Sequence, residues 1–86
     1  MIHAVYDTHV RREDGAKMHF DIVVPDGTPH LTVLQYGMEY LKSVSQEKLP
    51  LTTENCEFCH KEQQNPAASE AILRHGYHIY KLEGCP

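Results

Sequence analysis

The chain has no long apolar run. Its longest stretch free of Asp, Glu, Lys and Arg extends from Gly27 to Met38 and still carries Thr, Pro, His and Gln. A membrane-spanning helix needs about 18 or more apolar residues, so none is expected. A basic excess is also missing: eight Lys and Arg stand against twelve Asp and Glu, a formal net charge of −4. Nucleic-acid binders concentrate positive charge on one stripe or face, and nucleic acid is therefore not an expected partner. No Gly-x-Ser-x-Gly elbow, glycine-rich phosphate loop or His-Glu-x-x-His pair occurs. These absences leave esterase, nucleotide-dependent and zinc-protease chemistry without a signature. No nucleotide or flavin cofactor is expected, and the sequence gives little support for catalysis.

What is present describes one small domain over residues 1–86, with 41% apolar and 23% charged residues and five each of Gly and Pro. A chain of this size buries roughly 60–65% of its unfolded surface, so its stability margin is thin. No basic n-region or apolar h-region precedes the first strand, and three cysteines make an odd count. An odd count without a leader fits a reducing compartment, and a cytoplasmic location is the expectation.

From Ile2 to Val10 apolar and polar residues roughly alternate, with Ile2, Ala4 and Tyr6 against His3, Asp7 and His9. The pattern returns in Met18, Phe20 and Ile22 against Lys17, His19 and Asp21. Period two predicts two half-buried strands. A three-residue loop, Glu13-Asp14-Gly15, with Gly15 in the left-handed position, places Tyr6 beside Ile22 and Thr8 beside Phe20. A slip of one residue would expose the apolar set. Thr28-Pro29 reads as a cap followed by proline, and Leu31, Leu34, Met38 and Leu41 follow at helical spacing, predicting a helix from Pro29 to about Val44. A short strand is expected at Leu49–Thr53. Asn65-Pro66 repeats the cap signature, Gly76 is the terminator, and Tyr77–Leu82 reads as the last strand. The expected class is α+β in the order β-β-α-(β)-α-β, a mostly antiparallel sheet with both helices on one face.

Two constellations could carry chemistry. Cys56-Glu57-Phe58-Cys59-His60 places two thiols at a spacing that can grip one tetrahedral ion. Cys85 and one histidine (His60, His19, His75 or His78) would complete a Cys₃His zinc site and pin the last strand to the cysteine segment. The same pentapeptide formally matches c-type haem attachment, but no export signal accompanies it, so haem is not expected. A redox dithiol would want the pair at a helix N-terminus, whereas Glu57 sits between the thiols and Pro66 opens the next helix well downstream.

The second constellation comes from the hairpin register. It sets Asp7 opposite Asp21 and His9 opposite His19 on the face away from Tyr6 and Phe20. Like charges across a ladder invite a cation, and two His plus a carboxylate form a ligand set. The alternative is a solvated face on which Asp and His pair diagonally. Tyr77-His78-Ile79-Tyr80 reads as buried strand.

The chain resembles a family of small bacterial proteins known as the domain of unknown function numbered twenty-twenty-four. The resemblance is carried by Val5-Tyr6-Asp7-Thr8, Asp14-Gly15, Met18-His19-Phe20-Asp21, Cys56-x-Phe58-Cys59-His60 and the segment from Gly76-Tyr77 through Glu83-Gly84-Cys85. It implies a compact α+β fold and carries no activity. Three readings stand at this point: a structural zinc-type site on Cys56, Cys59, Cys85 and His60 or His19; a non-catalytic module with free thiols that binds another protein; and a thiol redox protein. Asp7, Asp21 and His9 form the second polar site.

Overall fold

In the computed structural model, which describes residues 2–46, 48–49 and 51–86, the alternating segments form the expected hairpin. Strands β1 (Ile2–Arg11) and β2 (Lys17–Pro25) run antiparallel, with Tyr6 opposite Ile22 and Thr8 opposite Phe20. Arg12 N donates to Ala16 O at 2.8 Å to close the loop, and Gly15 takes φ +90°. That left-handed conformation costs glycine little, which is how one residue fixes the facing of both strands.

Four further elements follow: α1 (His30–Ser43), β3 (Cys56–Gln63), α2 (Pro66–His75) and β4 (His78–Glu83). Among the described residues the strands form one antiparallel sheet in the order β3-β1-β2-β4. The α+β class and the element order are as expected. The third strand lies later than the Leu49–Thr53 segment; of that segment Pro50 is outside the described residues, while Leu51 is buried in the core below α1. β3 is instead the cysteine segment, where no strand was expected. Only Cys56 of β3 is buried, so this edge strand carries no alternating apolar pattern to reveal it.

Helix α1 covers one sheet face. Val33, Leu34, Tyr40 and Leu41 pack with Ala4, Val10, Met18, Phe20, Ile22 and Val24 in the main core. The buried stripe is rotated from the expected one, since Leu31 and Met38 are exposed while Gly37 and Tyr40 face inward. Gly37 permits the close approach: a Cβ there would stand 2.9 Å from Ile22 Cδ1 and 2.5 Å from Leu51 Cδ2. Pro29, not Thr28, occupies the cap position, and the Thr28 hydroxyl donates to Pro25 O at 2.7 Å.

Helix α2 starts and stops as its sequence dictates. Asn65 Oδ1 accepts from Ala68 N at 2.9 Å, Pro66 sits in the first turn, and Gly76 closes the helix at φ +98°. It packs on the opposite face, where Ala68 meets Val5 and Val23 in a second small core. The helices thus take both faces of the sheet rather than one. The reason lies in Ala4-Val5 and Ile22-Val23-Val24, where consecutive apolar residues need cover on both sides. Beyond this apolar end the second face is open to water. His3, fully buried on that same face, has neither ring nitrogen hydrogen-bonded among the described residues.

Gly84 fastens the end of β4. It has φ +64°, and a Cβ there would run into the Lys17 carbonyl oxygen. Cys85 follows, with its thiol 3.4 Å from His19 O and its side chain packed on the core edge. Gly84→Ala is expected to undock this corner. Cys85 should then alkylate with iodoacetamide at a rate near that of the exposed Cys59; a slow, wild-type-like Cys85 would contradict the docking.

Candidate metal centre on the open sheet face

The hairpin register builds the polar site. In β1 and β2 successive side chains alternate between faces. Once Thr8 and Phe20 point into the core, Asp7, His9, His19 and Asp21 must all point to the other side. Asp7 stands opposite Asp21, and His9 opposite His19. Asp7 gathers the group: His9 Nε2 donates to Asp7 Oδ2 at 3.0 Å, and His19 Nε2 donates to Asp7 Oδ1. The two imidazoles stack with centroids 3.9 Å apart and planes 17° apart. Among the described residues, Asp7, His9 and His19 are the group of three or more potential metal ligands whose donor atoms lie within 4.8 Å of one another.

The two carboxyls are pushed apart electrostatically. Burial raises Asp7, but hydrogen bonds from His19, His9 and Asp21 outweigh it and hold Asp7 below the ordinary carboxylate range. Asp21 lies above that range, first through burial and then through the hydrogen bond and charge of Asp7. Like charges across a ladder cannot both ionise cheaply, which is why the pair splits, one carboxyl held low and the other high. The stability Asp7 contributes is lost as pH falls through its depressed pKa. Asp21 acts with the opposite sign: its raised folded pKa gives stabilisation that is intact below the ordinary carboxylate range and lost as pH rises through the raised value. Asp21→Asn keeps a neutral donor toward Asp7 at every pH. It should match wild type in urea unfolding at roughly pH 3 and be the more stable of the two at roughly pH 7. A variant less stable than wild type at neutral pH contradicts this assignment.

The cysteine constellation is not assembled. Cys56 points into the core beside Thr8, and burial pushes its thiol up, with the Thr8 hydrogen bond opposing. Cys59 is exposed on the far edge of the sheet, and Cys85 docks on β2. The expected knuckle is a strand, and residues three apart on a strand do not close on one ion. Cys85 needs no metal to be held in place, because core packing and the His19 carbonyl already hold it. The same geometry separates the two thiols of the redox reading, one in the core and one in water. His60 does meet Cys59, Nδ1 to Sγ 3.3 Å. Neighbours on a strand ordinarily point apart. A bulge at Cys59, flanked by the pairs Val5–His60 and Tyr6–Phe58, brings them together.

Sequence reasoning missed a cavity on the same face. About 390 Å³ in volume, it lies where α2 ceases to cover the sheet, and its lining includes Val5, Val23, Asp21, Glu62, His78 and Tyr80. Its signal was present in Val5 and Val23, apolar residues on an otherwise polar face. Tyr80, expected to be buried, is instead an exposed wall.

A four-stranded antiparallel sheet with a helix on each face, and an Asp-His-His cluster on its open part, defines a small α+β domain. The chain belongs to the domain of unknown function family (DUF2024), whose model matches residues 1–82. No curated protein matches it. Among solved structures it is similar to the NMR structure of protein NE1680 from Nitrosomonas europaea, at 40% identity with a TM-score of 0.87, each chain covered over 100% of its length.

Proposed function

We propose that the protein binds a divalent transition-metal ion through Asp7, His9 and His19. The single observation that carries this reading is the convergence of two imidazole Nε2 atoms on the two oxygens of one carboxylate. Donors about 2.0–2.2 Å from one tetrahedral ion lie about 3.4 Å from each other. Hydrogen-bonded His9 and Asp7, at 3.0 Å, are already near that spacing. The ion takes the place of the protons between the ligands. The nearly parallel rings must splay for their lone pairs to converge, and His9, exposed to solvent, is the ring with room to turn.

Two imidazoles and a carboxylate, with no thiolate among them, suit Zn²⁺, Fe²⁺ or Ni²⁺ better than Cu⁺. Three protein ligands leave a position for water or an exchangeable group. What supports this set over Cys56, Cys59, Cys85 and His60 is that its donors are already grouped, whereas the thiols are dispersed between core, edge and chain end. Both imidazoles must be neutral to ligate, so acidification weakens binding. The test is calorimetric titration of Zn²⁺ into untagged, chelator-stripped protein. One equivalent should bind, and the heat should disappear in His19→Ala. Binding that survives His19→Ala and disappears in Cys59→Ser would transfer the site to the cysteines.

A further inference from the structure

We infer that a pocket at the loop end of the β1–β2 hairpin binds a small oxyanion, a phosphate or carboxylate group, and brings it to the exchangeable position of the proposed metal ion. The second half of this inference rests on the metal reading; the anion pocket does not.

The hairpin register sets three like pairs in a row on the open face. Asp7 stands opposite Asp21, His9 opposite His19 and Arg11 opposite Lys17. Like charges directly across a ladder destabilise it. The acidic pair is relieved by the histidines beside it, since both donate to Asp7. The cationic pair has no such relief: neither Arg11 nor Lys17 forms an ion pair among the described residues. Arg11 Nη1 donates to Gly15 O at 2.7 Å, which holds the guanidinium at the hairpin end without supplying a negative charge.

Beside this pair lies a pocket of about 320 Å³, lined by His9, Val10, Arg11, Lys17, Met18 and Asn55. Its size falls in the few-hundred-Å³ range of small-molecule sites. No carboxylate lines it. Asp7 and Asp21 lie two pairs away from the cations, Glu83 stands opposite His19 and Glu57 opposite Asp7, all outside the lining. Guanidinium and ammonium groups are donors only. Asn55 adds an amide N–H: its Oδ1 accepts from Thr52 N at 3.1 Å and the Thr52 hydroxyl at 3.0 Å, while Nδ2 is turned to His9 O at 3.4 Å. A cationic ligand would meet two positive charges here, and a neutral one would leave them uncompensated. The planar fork of Arg matches two oxygens of a phosphate or carboxylate.

His9 belongs both to this pocket and to the Asp-His-His cluster. Same-face neighbours on a strand are about 6.7 Å apart. One oxyanion can therefore meet the ion at His9 through one oxygen and the Arg11–Lys17 pair through another. Without metal the cluster carries the negative charge of Asp7; a divalent ion reverses that sign, so ion and anion favour each other's binding.

The experiment is an amide NMR titration of protein carrying one equivalent of Zn²⁺, and of chelator-stripped protein, with methylphosphonate, acetate and neutral acetamide at equal ionic strength. Saturable shifts are expected at His9, Arg11, Lys17 and Asn55 with the anions and none with acetamide, and the tighter anion identifies the group. Zn²⁺ should tighten anion binding about tenfold or more. Lys17→Ala should weaken the anion about fivefold or more in both forms while Zn²⁺ binds as in wild type. His19→Ala should lose the Zn²⁺-dependent gain and keep the weaker anion binding of the stripped protein. Failure of Zn²⁺ to bind would remove the metal reading and the co-ligand role with it, leaving the Lys17-dependent anion site of the stripped protein in place. No saturable shift with either anion, an equal response to acetamide, anion binding unchanged in Lys17→Ala, or equal anion affinity with and without bound Zn²⁺ would each overturn the proposal.

Discussion

His19→Ala is expected to weaken Zn²⁺ binding by more than about 100-fold while the domain stays folded. Losing only an outer partner of a metal ligand typically costs about 10–100-fold, and a direct ligand costs more. After the substitution Asp7 and His9 remain, two residues apart on one strand, and two donors make a weak site. The fold should tolerate the change because the ring stands on the polar face, outside both cores. Losing the bond to Asp7 lowers stability by about 1 kcal/mol, not enough to unfold the domain. Calorimetry for the metal and urea unfolding for the fold separate the two effects. Cys59→Ser and Cys85→Ser should bind Zn²⁺ like wild type, since neither thiol stands near Asp7.

Phe20→Ala is expected to be the most damaging of the core truncations, costing about 3–5 kcal/mol. Phe20 is fully buried and meets Tyr40 edge-on at a centroid distance of 4.9 Å. Small domains have about 5–15 kcal/mol of stability in all, and this one belongs at the lower end. The variant should therefore unfold at much lower urea concentration. Because Phe20 anchors β2 between His19 and Asp21, loosening it also disperses the ligands. Saturating Zn²⁺ should return part of the loss, about 2.7 kcal/mol at a free concentration one hundred times Kd. A loss under about 1 kcal/mol would contradict the core assignment.

The hairpin was legible because three signals agreed on it: the alternation in β1 and β2, the Asp14-Gly15 turn, and the need to bury Phe20 and Ile22. Its register alone places Asp7 opposite Asp21 and His9 opposite His19, so the candidate site could be read from the sequence down to the residue. Which of its two outcomes holds, ion site or diagonally paired face, was not readable, because the hydrogen bonds of Asp7 serve both. Helix α2 was equally plain from Asn65-Pro66 and Gly76.

Other elements were hidden for physical reasons. β3 pairs along a sheet edge, so seven of its eight side chains escape full burial and the segment carries polar residues that mimic a linker. Its Cys-x-x-Cys spacing resembles a metal knuckle, yet the bulge and the strand pairing that disperse the thiols depend on β1, far away in sequence. α1 buries Gly37 and Tyr40 in place of Leu31 and Met38. Close approach to the sheet favoured the residue without a side chain, which a hydrophobicity pattern cannot weigh. The second face of the sheet was signalled by Val5 and Val23, two residues that break an otherwise polar alternation.

The most direct test of the account is a long-range ¹H–¹⁵N imidazole NMR titration of chelator-stripped protein with Zn²⁺, read at all seven histidines. Expected is the joint movement of the His9 and His19 Nε2 signals, complete at one equivalent, with His75 unmoved. Stationary His9 and His19 signals, or a response centred on His60 with loss of the Cys59 and Cys85 thiols, would contradict it.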